Sequence, residues 1–372
     1  MSDSSDALSA DSCPTTTYCM AVGVSYGADA DDAMAEQWNG ASWALQIPNN
    51  PSSTFNDLQA VDCVSATFCV AVGEYENGSA GTDTLVETWN GSSWSTASSP
   101  NPGLSNELSA VSCTSGTFCV AGGLYNNGTA DSNLAELWNG TAWSVSPTPT
   151  KGTESWFEGL ACTASDHCLA AGASVTNGVD QTLVESWNGA AWTVASTPDK
   201  GTSNNELFSI SCASSTVCDA VGYYQHASTT DTLVESLTGG SWTLASSPDK
   251  GSSDFLEGVS CSAATTCMAV GSFSGGALSL SLTGSKWQTV PTPLTGDTTS
   301  SGLASISCPS SSKCVAVGAY GPETTTQSLA EEWNGSTWSV SNATADVNDS
   351  FNELLSTSCV GSDFCVGVGS YN

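Results

Sequence analysis

Along the chain, apolar residues fall in short runs broken by Gly, Pro, Asn, Ser and Thr, and no segment keeps a helical spacing of apolar positions. One stretch shows the pattern in full: LSAVSC (108–113), a turn TSGT, FCVAGGLY (118–125), a polar loop NNGTADS, then NLAELWNG (133–140) and TAWSVSPTP (141–149). These read as four β-strands, A to D. Strand A alternates modestly between apolar and polar positions. Strand B is small and apolar on both faces, as in Cys69, Val70, Ala71, Val72 and Gly73, which suits the crowded inner part of a radial array. Strand C ends in Trp-Asn-Gly, a tight-hairpin signal, because Asn and Gly both tolerate positive φ. Strand D opens with a second tryptophan, so pairs such as Trp89/Trp94 and Trp138/Trp143 are expected to meet across the hairpin and fill the space between units.

The unit recurs. Cysteines stand six apart at Cys13/Cys19, Cys63/Cys69, Cys113/Cys119, Cys162/Cys168, Cys212/Cys218, Cys261/Cys267, Cys308/Cys314 and Cys359/Cys365, which uses all 16, and successive pairs are 47 to 51 residues apart. A period of that size marks architectures in which each unit buries its faces against its neighbours. Cysteines at i and i+6 around a polar turn can face each other across the A–B hairpin within disulfide reach, so each pair reads as a staple inside one unit. Zinc is the alternative use of paired thiolates, but it favours a shorter spacing with a second pair nearby, and the chain has only two histidines.

Four strands per repeat around an axis predict an all-β fold, a β-propeller of four-stranded blades; a parallel β-helix is the rival, with turns too short for two hairpins each. The C–D signal occurs seven times, at WNGASW, WNGSSW, WNGTAW, WNGAAW, LTGGSW, LTGSKW and WNGSTW, and the A–B hairpin eight times. The expectation is therefore an eight-bladed propeller with an incomplete last blade, the alternative being a seven-bladed one plus an extra hairpin. A single domain over 1–372 would carry blades at about 8–57, 58–107, 108–156, 157–206, 207–255, 256–302, 303–353 and, in part, 354–372.

Disulfides imply an oxidising compartment. Residues 1–20 lack the basic start and apolar run of a signal peptide, and no run of 18 apolar residues could span a bilayer as a helix. The chain is thus expected to be a mature segment or fragment of a longer exported protein, secreted or at a cell surface. Thirty-seven acidic residues against five lysines and no arginine give a net charge of −32, which disfavours nucleic acid and anionic lipid as partners. The plainest use of this charge is solvation, and a monomer is expected.

The repeat resembles a kelch-type blade, as in the galactose-oxidase central domain: an apolar strand ending Gly122-Gly123, an acid-x-aromatic at Glu136-x-Trp138, and a strand starting at Trp143. It is also similar to tandem WNG-x-x-W repeats of exported bacterial proteins. Most copies carry Val-Gly in place of Gly-Gly, Trp in place of Tyr, and the cysteine pair in addition. The resemblance implies a propeller fold; function does not follow from fold.

An inventory narrows the chemistry. A galactose-oxidase-like copper site needs two His and two Tyr, whereas His167 and His226 fall in different kinds of loop. A sialidase-like site resembles three arginines, and there are none. No metal and no cofactor are expected. The strand C acids Glu36, Glu87, Glu136, Glu185, Glu235 and Glu331 recur with the blade, with Leu280 in their place once, and read as structural. The favoured expectation is a non-catalytic scaffold binding carbohydrate or an extracellular protein; a glycan-cleaving enzyme with two loop carboxylates is the alternative. Recognition is expected on the rim of D–A and B–C loops, opposite the stapled A–B and tight C–D turns. Asp57, Asp83, Glu107, Asp131, Trp156, Glu158, Glu206, Asp231, Phe255 and Glu257 are its candidate residues, with Asp31, Asp180, Glu323, Glu353, Phe55, Phe157, Phe208 and Phe351 beside them. Such a mixture of acids and aromatics suits sugar rings or a cationic partner.

Overall fold

The computed structural model describes residues 6–78, 81–293, 301–322, 325–341 and 351–371. Among these every regular element is a β-strand, and the strands build seven four-stranded blades of a β-propeller. The eight-bladed expectation is thereby corrected to its alternative, seven blades plus an extra hairpin: the eighth cysteine pair lies in the two-stranded hairpin Asn352–Val360 with Phe364–Tyr371. Contacts divide the chain into two compact units, Met1–Ala170 with Glu185–Val194, and Ala171–Val184 with Ala195–Asn372. The first three blades lie in the first unit; the fifth, sixth and seventh, with the last hairpin, lie in the second.

The third blade shows why the sequence folds this way. Its strands are Ser105–Ser115, Phe118–Asn126, Asp131–Trp138 and Trp143–Val145, each antiparallel to the next. Strand A has one residue more than its partner between Leu108 and Ala110, a β-bulge opposite Gly122 and Gly123. A Cβ on Gly123 would run into the Glu107 carbonyl oxygen, and the equivalent glycines of other blades meet the same obstacle. The Gly that ends strand B thus follows from the bulge in strand A.

The C–D turn differs in detail from the expected one. Gly140 takes positive φ, 92°, but the asparagine before it does not. Instead the Asn139 side-chain oxygen accepts from the Thr141 and Ala142 amides at 2.9 and 3.0 Å, and its own amide donates to the Ala142 carbonyl at 3.3 Å. Asparagine is favoured here because its side chain imitates a backbone turn.

The eight cysteine pairs are all bridged within their own A–B hairpins, with Cα atoms 4.0 to 4.1 Å apart and no free cysteine. The eight staples are as expected, but the two members of a pair differ in burial. The strand B members Cys19, Cys69, Cys119, Cys168, Cys218, Cys267 and Cys314 are at most 1% exposed and belong to the core. The cause is that strand B is hydrogen-bonded on both edges, to strands A and C, as Cys119 is paired with Cys113 on one side and Trp138 on the other. Most strand A partners, among them Cys13, Cys113, Cys162, Cys212 and Cys261, are only half-buried.

The two tryptophans of a C–D hairpin sit opposite each other, 5.8 Å between ring centroids for Trp138 and Trp143. They do different things. The strand C indole faces the A–B turn and donates to its carbonyl, Trp138 to Gly116 at 3.1 Å and Trp89 to Ala66 at 3.3 Å. The strand D indole enters the blade before it: Trp143 packs with Leu108, Ala121 and Leu134 against Val70, Val72 and Val86 of the second blade. Burying such a ring removes roughly 150–250 Å² from water.

Two positions before the strand C aromatic stands the recurring glutamate. Glu87, Glu136, Glu185, Glu235 and Glu331 are wholly buried. Glu87 accepts from Thr96 at 2.6 Å, Glu136 from Ser99 at 2.5 Å and Glu185 from Asn133 at 2.9 Å, the last two bonds reaching back to the preceding blade. Such burial fits a structural role and keeps substrate away from these acids.

Candidate functional site

The rim of D–A and B–C loops is assembled by a buried residue just ahead of each strand A acid. Asn106 accepts from the Gly103 amide at 2.8 Å and donates to the Thr82 and Gly103 carbonyls at 3.1 and 3.2 Å, tying the D–A loop to the preceding blade. Asn56 does the same with Ser52 and Asp31. Short parallel bridges, Asp31 with Phe55 and Thr326 with Phe351, set the two loop classes side by side. In the second, third and fifth blades the triplet Asn-acid-Leu then buries its Asn and Leu and leaves its acid half-exposed.

In the first unit these acids gather. Burial pushes the Asp57 carboxyl up to about 6, the Leu58 amide opposing, and the charges of Glu107 and Asp31 add to the rise. Glu74 is raised as well, mainly by burial, with Glu107 and Asp57 contributing. Gln59, the bulge residue of its strand, donates to Glu107 at 3.0 Å. Glu74, Gln59 and nearby Tyr26 were not among the candidates; strand pairing sets Glu74 opposite Asp57 and Tyr26 opposite Asp31, and the bulge lets Gln59 reach Glu107 of the next blade.

The second unit mixes acids with rings. Phe208, Tyr223 and Phe255 form a chain with centroids 5.5 and 5.4 Å apart. Burial first, then Glu206 and Asp180, push the Tyr223 hydroxyl up to about 12. Glu257 is raised by burial of its carboxyl and by the charge of Glu206. Beyond it the seventh blade places Gly302 where the second to sixth blades carry an acid or a ring, and this leaves a hollow. Two adjoining depressions, of about 310 and 430 Å³, share Ser272, Gly302, Ala319 and Glu353, with Glu257 and Leu355 at one side and Phe273, Tyr320 and Phe351 at the other.

The remaining candidates divide. Asp83 accepts from Asn77 at 2.9 Å and Tyr75 at 3.3 Å, and Asp131 from Asn126 at 2.6 Å, so both are held inside their own B–C loops. Asp231 is buried, accepts from the Tyr224 hydroxyl and stands 3.8 Å from His226. Trp156 is half-buried, Glu158 is exposed two positions further along strand A than the residue matching Glu107, and Phe157 is in the core, 6.2 Å from Trp192. Glu323 lies outside the described residues. Among the described residues one group of ligand-type atoms converges, Asp219 with Cys261 and Cys267, and both sulfurs are spent in one disulfide.

No family model and no curated protein matches the chain. Solved structures match its fold. Sqt1 from Chaetomium thermophilum, bound to the N-terminus of the ribosomal protein L10, aligns with a TM-score of 0.63 at 12% identity, over 98% of this chain and 94% of that one. YCF48 bound to D1 peptide aligns at 0.51 and 14% identity, over 84% and 88%. A polysaccharide lyase, an ulvan lyase bound to a GlcA–Rha3S glycan, aligns at 0.52 and 8% identity, over 91% and 94%. At these identities the likeness is one of fold, and it supports the β-propeller architecture of this chain.

Proposed function

We propose that the chain is a non-catalytic binding module of an exported protein, built from kelch-like blades, whose inner-strand shelf takes a basic peptide segment. The observation that carries this reading is the hollow at Gly302, walled by Glu257 and Glu353 and flanked by Phe273, Tyr320 and Phe351. Glu257, raised by burial and by the charge of Glu206, gains from an incoming cation, and ring faces attract it. The protein's own lysines use such faces nearby: Lys200 lies 4.0 Å from the Tyr224 ring centre and Lys250 4.4 Å from that of Phe273. Two neighbours of the same fold were solved with a peptide or a protein N-terminus bound, and eight disulfides fit an extracellular setting.

Titration calorimetry with a lysine-rich peptide tests this. Binding should weaken at least tenfold in Glu257→Gln/Glu353→Gln and vanish in Gly302→Trp; affinity unchanged in both variants would refute the shelf. A glycan-cleaving enzyme is the second reading, favoured by two carboxylates lining one hollow. Release of new reducing ends from a polysaccharide panel, lost in Glu257→Gln, would establish it in place of the first.

A further inference from the structure

In the first, second and sixth blades the residue after the strand B cysteine packs with the disulfide of the next blade. Met20 shares a cluster with Cys63 and Cys69, Val70 with Cys113 and Cys119, and Met268 with Cys308 and Cys314. Along the seven blades this position reads Met20, Val70, Val120, Leu169, Asp219, Met268 and Val315. Every one but the fifth is apolar. There a carboxyl takes the place of the apolar side chain, at the cost of burying a polar group.

Asp219 is 2% exposed, and its Oδ2 lies 3.3 Å from the Cys267 sulfur and 3.7 Å from the Cys261 sulfur of the sixth blade. Its Oδ1 accepts from the Ser236 hydroxyl at 2.5 Å, which fixes the carboxyl and leaves Oδ2 to the bridge. Burial raises this carboxyl, the Ser236 bond opposing, so it keeps its proton to higher pH than a free aspartate. A bridged sulfur has no hydrogen to give, so a proton between Oδ2 and the sulfurs is the carboxyl's own.

The two sulfurs differ in access. Cys267 is 1% exposed, whereas Cys261 is half-buried and lies just before the exposed turn residues Ala263, Ala264 and Thr265. A thiolate arriving from solvent meets Cys261, which makes Cys267, the sulfur nearer to Asp219, the leaving group. Releasing a thiolate into an apolar core is the hard part of opening a sealed bridge, because burial raises the thiol and exchange slows as the leaving thiol becomes more basic. A carboxyl proton beside the Cys267 sulfur removes that obstacle.

We propose that Cys261–Cys267 is a thiol–disulfide exchange site for small thiols, with Asp219 as its general acid. The external thiolate attacks the Cys261 sulfur, and its electron pair forms the new S–S bond. The Cys261–Cys267 bond breaks with its pair going to the Cys267 sulfur, which takes the proton from Asp219 Oδ2. The products are a mixed disulfide at Cys261, a neutral Cys267 thiol and the Asp219 carboxylate, still held by Ser236. In reverse the carboxylate takes the proton back as Cys267 attacks the mixed disulfide and expels the small thiol. The site is separate from the acidic shelf and does not depend on it.

The test treats the intact oxidised chain with glutathione under native conditions, quenches samples with an alkylating reagent and assigns each cysteine by peptide mapping. Cys261 should carry glutathione and Cys267 the alkyl group, appearing at least about tenfold faster than any product of Cys308–Cys314, which faces Met268 instead of a carboxyl. Asp219→Asn keeps an acceptor for Ser236 but has no acidic proton, and should slow the reaction to the rate of Cys308–Cys314. Asp219→Val, which restores the residue of the second and third blades, should do the same. The proposal is overturned if all eight bridges open at one rate, if glutathione is found on Cys267, or if neither variant slows the reaction. It is overturned too if the variants speed the opening of Cys212–Cys218 and Cys261–Cys267 together, because the carboxyl would then only support packing.

Discussion

The buried glutamates make stability depend on pH in an unusual direction. Burial pushes Glu87, Glu136, Glu185 and Glu331 up to about 7, against 4.5 for the free side chain. A group raised on folding binds its proton more tightly in the folded state, so its favourable contribution is complete below pH 4.5 and is lost as pH rises through about 7. Each ionisation costs on the order of 3 kcal/mol. Thermal melts should therefore show a higher Tm at pH 5 than at pH 8, and Glu136→Gln should flatten that slope. A Tm that climbs with pH would mean the carboxyls are ionised and paired. The recurrence of these acids was legible in the sequence; their protonation was not, because it follows from burial by neighbouring strands and blades, which the bonds from Thr96, Ser99 and Asn133 offset only in part.

Among elements, the strand D tryptophans join the packing of one blade to the blade before it. Trp143→Ala should cost about 3–5 kcal/mol in denaturant unfolding, whereas Thr141→Ala in the exposed C–D turn should cost well under about 1 kcal/mol; equal costs would argue against the nearest-neighbour packing. Replacing Cys113 and Cys119 together by Ser removes a ring closed over a separation of 6 and should lower stability by about 2 kcal/mol. Native alkylation followed by peptide mapping should recover no modified cysteine before reduction. The strands, hairpins and staples could be read ahead because local spacing dictates them. The unequal burial of Cys162 and Cys168 could not, nor could the bulge at Ser109 or the convergence of Glu74 with Asp57. These depend on what packs over a strand and on a one-residue offset that decides which side chains meet.

For the whole chain, a net charge of −32 with five lysines and no arginine makes repulsion a general term. Moderate salt should raise Tm while weakening any basic ligand, and the two effects should follow the same screening length, about 10 Å at 0.1 M. A ligand whose affinity rises with salt would not be held by the acidic shelf. Blade count was the least legible feature: eight cysteine hairpins and seven C–D hairpins fit either count, and only pairing of the strands showed seven four-stranded blades.

The staples also set how far a blade can be drawn out under load. Six residues extend to about 20 Å, yet the bridged Cα atoms stay 4.0 Å apart in the third blade. Pulled from its ends, each oxidised repeat should yield a length step shorter by roughly 15 Å than its reduced form. Force spectroscopy on the two redox states would show the difference as a uniform change in step size, so the cysteines serve as a ruler that counts the repeats as they give way.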